Sequence, residues 1–157
     1  MTIKFWFIGK DKPAFVEDSV ELFFNRIKKY QKVDLEYINA GKFTGSDAAA
    51  KTKQFEATEV LKRLKANERL ILLDEKGKTF NSRSFASWME NQLVSDSRSL
   101  IFLIGGAFGF DQSVYERAET KLRLSDFTFS HQLARPILLE QVYRAFTIIR
   151  NEPYHND

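Results

Sequence analysis

The chain has no cysteine among its 157 residues. That absence excludes disulfides, thiolate zinc sites and cysteine nucleophiles, and it removes any need for an oxidising compartment. Histidine is almost as scarce. The two present, His131 and His155, fall near the carboxyl terminus with no His-Glu cluster at ligand spacing, so no metal site is expected. No apolar run approaches the ~20 residues that span a bilayer. The first ten residues, MTIKFWFIGK, lack both the apolar length and the small-residue cleavage site of a secretory signal. These absences lead us to expect a cytoplasmic protein with no membrane partner. No GxSxG element marks a hydrolase. Gly77, Lys78 and Thr79 resemble the end of a phosphate-binding P-loop, but the earlier glycine that the loop needs is replaced by Leu72. Nor is there a dinucleotide fingerprint: Gly105, Gly106 and Gly109 have the wrong spacing and follow a fourth strand rather than a first.

Phenylalanine, by contrast, is plentiful, with 15 residues, which points to a large core or a buried subunit contact. The length is that of one domain, read as residues 1–157. Basic residues exceed acidic ones by 24 to 21, a formal charge of +3, which permits an anionic partner without requiring one. The chain centres on Ser99 to Phe110, SLIFLIGGAFGF, where five apolar residues run into a cluster of glycines. Such a run is the mark of a parallel strand buried on both faces. The glycines at its carboxyl end allow either a tight turn or the close approach of a ligand to bare backbone.

Around this strand the pattern predicts alternating elements. Ile3 to Ile8, Val33 to Ile38 and Arg69 to Asp74 read as strands, the last followed by a turn through Glu75, Lys76 and Gly77. A helix whose apolar face carries Phe15, Val16, Val20, Phe23, Ile27 and Tyr30 follows Asp11, a candidate cap, and Pro13. A polar, solvated helix capped by Ser46 or Asp47 is expected to run to about Lys65, and a third begins at Ser82. Asp111 and Gln112 open a fourth. Leu124 to Phe129 reads as a last short strand, and Pro136 as the start of a final helix ending near Arg150. The expected fold class is α/β, an open and mostly parallel sheet with helices on both faces. The final helix has apolar residues on more than one side, from Ile137 to Ile149, and only seven residues follow Arg150 to cover it. A twofold dimer through this helix is therefore expected.

Chemistry points to the block from Leu124 to Arg144 and the terminal Asn151, Pro153, Tyr154 and His155. His131, Gln132 and Arg135 sit between two apolar elements, where polar groups must be hydrogen-bonded or face a cleft; capping the helix is the simpler alternative. Five segments together carry a resemblance: LLDEKGK at Leu72 to Lys78, IGGAFG at Ile104 to Gly109, LSDFTFSHQLAR at Leu124 to Arg135, LLEQVYRA at Leu138 to Ala145, and NEPYH at Asn151 to His155. Across essentially its whole length the chain resembles the bacterial methyltransferases of the SPOUT superfamily that modify N3 of a pseudouridine in 23S rRNA. The resemblance implies a carboxyl-terminal deep trefoil knot, a homodimer, and a substrate that is 23S rRNA in the assembled ribosome. It also implies S-adenosylmethionine as methyl donor, bound by Leu73, Gly105, Leu124, Ser125, Asp126, Phe127, Thr128 and Phe129. His131, Arg135 and His155 are the implied catalytic candidates, and Arg144 and Tyr154 the RNA-binding ones. Two positions depart from the family pattern, Ser130 where proline often precedes the loop histidine and Asn156 where a basic residue often follows the terminal Tyr-His. Two other readings stay open: a non-catalytic nucleotide- or ribosome-binding domain, and a related methyltransferase with another RNA target.

Overall fold

A computed structural model describes residues 1–156. Five strands, β1 (Ile3–Ile8), β2 (Val33–Ile38), β3 (Arg69–Thr79), β4 (Leu100–Ile104) and β5 (Thr120–Arg123), alternate with five helices, α1 (Ala14–Ile27), α2 (Ala48–Leu61), α3 (Ser82–Ser95), α4 (Gln112–Arg117) and α5 (His131–Ile149). The strands form one sheet in the order β2-β1-β4-β3-β5, and every pairing is parallel. β4 takes the middle place, and all five of its residues are buried, because helices cover both of its faces. Odd residues of β1 (Ile3, Phe5, Phe7) and even ones of β4 (Leu100, Phe102, Ile104) pack against α1, α3 and α5. Trp6, Ile8, Ile101 and Leu103 point the other way, toward α2 and α4. Three layers result, with the period-2 alternation of each strand deciding which core a side chain joins.

Several local expectations are corrected by contacts that no single segment reveals. β3 does not turn at Glu75 but runs on to Thr79, because β5 pairs with it twice, at Ile71 to Leu73 and again at Lys78 and Thr79, with a register shift between. A bulge of this kind is one way for a strand to bend while keeping its partner. It needs Gly77: a Cβ there would lie 2.5–2.7 Å from the backbone of Lys121 and Leu122.

Residues Leu124 to Phe129, read above as a strand, form a loop instead. The Arg123 Nε donates to the Ser125 carbonyl and the Phe127 N–H donates to Ser125 Oγ, both at 3.0 Å, so the backbone turns before a ladder can extend.

Helix limits shift for similar reasons. α5 starts at His131, not Pro136, because Ser130 Oγ accepts from the Leu133 N–H as cap. Pro136 sits inside the helix, where it removes a single bond near the amino end. Asn81 and Ser84 form a reciprocal capping box for α3, displacing Ser82 as cap. Pro13 occupies the cap position of α1 without a side-chain bond, and Asp11 does not cap it. Asp47 precedes α2, but its carboxylate pairs with Lys51 at 2.8 Å rather than with backbone, and the helix ends at Leu61. Phe15 leaves the apolar face of α1 and is 62 % exposed, since Val16, Val20 and Ile27 hold that face to the sheet. α2 is polar in composition yet buries Thr52 and Glu56 as well as Ala57 and Val60.

The two apolar sides of α5 are met largely within the chain, as the helix packs against both α1 and α3. Ile137, Tyr143, Ile148 and Ile149 are half-buried; the last three pack against the core, Tyr143 through Phe23, Tyr30 and Tyr154. Among the described residues no helix is long and apolar enough to cross a membrane.

The close approach at the bulge is directly testable. Gly77→Ala is expected to cost about 1–3 kcal/mol, the usual penalty for forcing extra volume into a packed site, and to lower the thermal midpoint correspondingly. A midpoint equal to that of the unaltered protein would show that β3 and β5 are not held as described.

Candidate functional site

The carboxyl ends of β3, β4 and β5 open into a cleft of about 720 Å³, within the ~300–1,000 Å³ typical of ligand sites. Leu73 to Lys76 form one side, Ile104 to Phe110 a second, and Leu122 to Ser130 a third, with His131 and Ala134 from the start of α5 at the base. Each wall follows from its sequence. The apolar runs of β3 and β4 stop together at Leu73 and Ile104, which are paired across the ladder; beyond Ile104 the chain leaves the sheet, while β3 runs on beside β5 to Thr79.

Gly105 and Gly106 keep the second wall flush. A Cβ on Gly105 would meet the Phe110 ring at 2.9 Å, and one on Gly106 would meet the Glu56 carboxylate at 2.9–3.0 Å. Neither position has room for a Cβ unless Phe110 or Glu56 moves. The third wall is mostly loop, and Arg123 braces it through an ion pair with Asp126 at 3.0 Å.

All eight residues proposed from sequence as donor-binding, Leu73, Gly105 and Leu124 to Phe129, line this one cleft, and so does His131. Sequence reading missed four lining residues with evident chemistry: Asp74, Phe108, Phe110 and Tyr115. Tyr115 donates its phenolic hydrogen to Asp74 Oδ2 at 2.6 Å, and burial together with that carboxylate pushes the phenol up to about 12. The signal for Phe108 and Phe110 was present, since they bracket Gly109 in the central motif. Nothing local marked the pairing of Asp74 with a residue 41 positions away. Phe108 and Phe127 stand out at the rim, 52 % and 82 % exposed.

Arg135 does not reach the cleft. Its side chain has no accessible surface, and its guanidinium donates to the carbonyls of Ile8 (3.1 Å), Gly9 (3.0 Å) and Asp11 (2.8 Å). It lies over the rings of Phe7 and Tyr37, 5.7 and 5.4 Å from their centroids, where cation–π attraction helps hold a cation out of water. The sheet order reverses between β1 and β4, the usual place for a ligand crevice in such a fold. Here the chain's own arginine occupies the end of β1.

Its charge reaches His131, four residues earlier on α5. Burial first, then the Arg135 cation, hold that imidazole below its ordinary value, with Asp11 opposing. His131 is therefore neutral at physiological pH and free to accept a proton.

The remaining candidates form a separate cluster. Arg144 pairs with Glu140, lies 4.7 Å from the centroid of the Tyr154 ring, and brings Nη1 within 3.2 Å of His155 Nδ1. Tyr154 donates to Glu140 at 3.1 Å and packs edge-on against Tyr143. Thirteen residues of helix separate Arg144 from His131, about 20 Å at 1.5 Å per residue. The two clusters of one chain do not meet.

The cleft is apolar along Leu73, Ile104, Leu124 and Phe129, and it carries Asp74, Glu75 and Asp126 together with Lys76 and Arg123, so apolar contact and charged groups of both signs are available to a ligand.

Comparison with known proteins gives the family. A family model described as "Predicted SPOUT methyltransferase" matches residues 1–155. The chain belongs to the SPOUT methyltransferase family. Similar proteins from several organisms are named ribosomal RNA large subunit methyltransferase H. The protein from Flavobacterium johnsoniae is 40% identical over 156 residues, covering 99% of each chain. That from Parabacteroides distasonis is 39% identical over 150 residues, 96% of each chain. That from Bacteroides fragilis strain YCH46 is 42% identical over 150 residues, also 96% of each.

The link between Arg135 and His131 predicts a measurable shift. In Arg135→Gln the cation beside the imidazole is gone, so the His131 titration midpoint followed by NMR is expected to rise toward ~6.5. The same variant is expected to lose on the order of 3 kcal/mol in denaturant unfolding, as three carbonyls lose a charged donor. A folded variant with an unmoved midpoint would break the link.

Proposed function

We propose that this SPOUT protein is an S-adenosylmethionine-dependent methyltransferase that modifies N3 of a pseudouridine in 23S rRNA, with the assembled ribosome as substrate. The observation that carries the reading is the convergence of Leu73, the Gly105–Gly106 wall, Leu124 to Phe129 and His131 on one cleft, in a chain about 40% identical over nearly its full length to proteins named for rRNA methylation. In this reading Leu124 to Phe129 is the threaded segment of a trefoil knot, which keeps the third wall in place without a ladder.

Leu73, Gly105 and Leu124 to Phe129 hold the donor, which supplies a sulfonium methyl group when bound. The acceptor nitrogen must lose its proton as it attacks. His131 at the base of the cleft takes that proton, because its depressed basicity leaves it neutral. Arg135, sealed behind it, is a positioning residue: it fixes the start of α5 against β1 and never touches RNA. Alignment of the two reactants supplies much of the remaining acceleration.

Arg144, Tyr154 and His155 serve the site from a second protomer. Within one chain Arg144 lies about 20 Å along α5 from His131, and a contact through half-buried Ile137 brings a partner's cluster to the cleft. A net charge of +3 suits a small enzyme whose partner is largely phosphate.

Two measurements test this. Mass mapping of 23S rRNA from a strain lacking the gene is expected to show one pseudouridine without its methyl group, restored by the intact gene; an unchanged nucleotide refutes the substrate. His131→Ala is expected to slow turnover by about 10²–10⁴-fold, the usual worth of a general base, while donor binding persists. Because the His131 imidazole is held below its ordinary value, the acid limb of the rate profile is expected below pH ~6.5. An acid limb that survives in His131→Ala would assign the base elsewhere.

A further inference from the structure

Behind the glycine wall lies a carboxyl group that the mechanism above does not use. Glu56 of α2 is 3 % exposed, and its Oε2 is buried with no hydrogen-bond partner. Its two oxygens lie 2.9 and 3.0 Å from where a Cβ on Gly106 would stand, and Gly106 lines the cleft on its other side. Only the main chain of one residue therefore separates a buried carboxyl from the ligand space.

Lys53 of α2 acts on Asp111, and other charged groups on the packed elements are engaged elsewhere. Asp111 accepts from Ser113, Tyr115 donates to Asp74, and Arg117 donates to the carbonyls of Lys65 and Glu68. Glu36 pairs with Arg63, and on α2 itself Glu59 pairs with Lys62 and Arg63. Burial pushes the Glu56 carboxyl up to about 6, with only the Gly41 N–H opposing. The sign is that of a costly group: an acid raised above its unfolded value of ~4.5 weakens the fold once ionised, so stability falls as pH rises through about 6. A carboxyl kept at such a cost, aimed at the wall of a site, implies use by the ligand.

We infer that Glu56 is a specificity-determining residue of the donor site, placing one buried negative charge behind Gly106 so that the cleft holds a sulfonium cation more tightly than its neutral thioether product. The inference rests on the methyl-donor reading. S-adenosylmethionine and S-adenosylhomocysteine share adenosine and amino-acid parts and differ at sulfur by one methyl group and one positive charge. In a low-dielectric wall that charge difference is felt across a single residue. By reciprocity the bound cation draws the Glu56 proton off, whereas the thioether does not.

The test is calorimetric titration of the full chain with both compounds. At about pH 7.5 the Glu56→Gln variant is expected to bind S-adenosylmethionine on the order of tenfold more weakly than the unaltered protein, with S-adenosylhomocysteine affinity unchanged and the thermal midpoint equal or higher. Equal weakening of both compounds, or of neither, overturns the inference and leaves the donor site intact. Should the variant fail to fold, the unaltered protein answers. Its affinity for S-adenosylmethionine is expected to fall below about pH 6 with proton release on binding, while that for S-adenosylhomocysteine stays level; parallel curves overturn the inference. Failure of the unaltered protein to bind either compound overturns the methyl-donor reading as well.

Discussion

One guanidinium decides where the last helix begins. Arg135, fully buried, is bonded to three carbonyls at the exit of β1, more than 120 residues away in sequence. A buried arginine without an acidic partner is an expensive feature, tolerated only where geometry supplies several acceptors at once. Once that bond set forms, the first turn of α5 is fixed against the sheet, His131 is fixed at the base of the cleft, and the loop from Leu124 to Ser130 must span from β5 to that point. The third wall of the cleft is a consequence of the anchor.

The second constraint is the simultaneous end of the apolar runs in β3 and β4. Because Leu73 and Ile104 are register partners, the segments that follow, Asp74 to Lys76 still within β3 and Gly105 to Phe110 beyond β4, line a common space. The relation to rRNA methyltransferases at about 40% identity over the full length fits a site whose shape depends on loop paths more than on particular side chains.

Strand positions were the most legible part of the chain. β1, β2 and β4 lie where the apolar patterns end, since burial and period-2 alternation are properties of each segment alone. What stayed hidden depends on distant contacts. The bulge in β3 exists because β5 returns to pair with it twice. Leu124 to Phe129 looks like a strand because its apolar residues line a cleft, which imposes the same composition as a sheet face. Glu56 was invisible on a helix that composition marks as solvated. Arg135 was legible as a polar residue needing partners, but its burial against the end of β1 was not, because nothing local distinguishes an arginine that faces a cleft from one that seals a strand end. The glycines of the central motif, read as either a tight turn or a place for a ligand to approach, lie on the wall of the cleft.

Pro136 has a consequence for motion. Lacking an N–H, it leaves the Gln132 carbonyl without its helical donor, so the opening turn of α5 is joined to the rest of the helix by one rung fewer. That turn carries the imidazole at the cleft. It is pinned at one end by Ser130 and at the other by Arg135, with a weak seam just beyond. The helix body is wedged between α1 and α3, so any bending of α5 is expected at this seam rather than along its length.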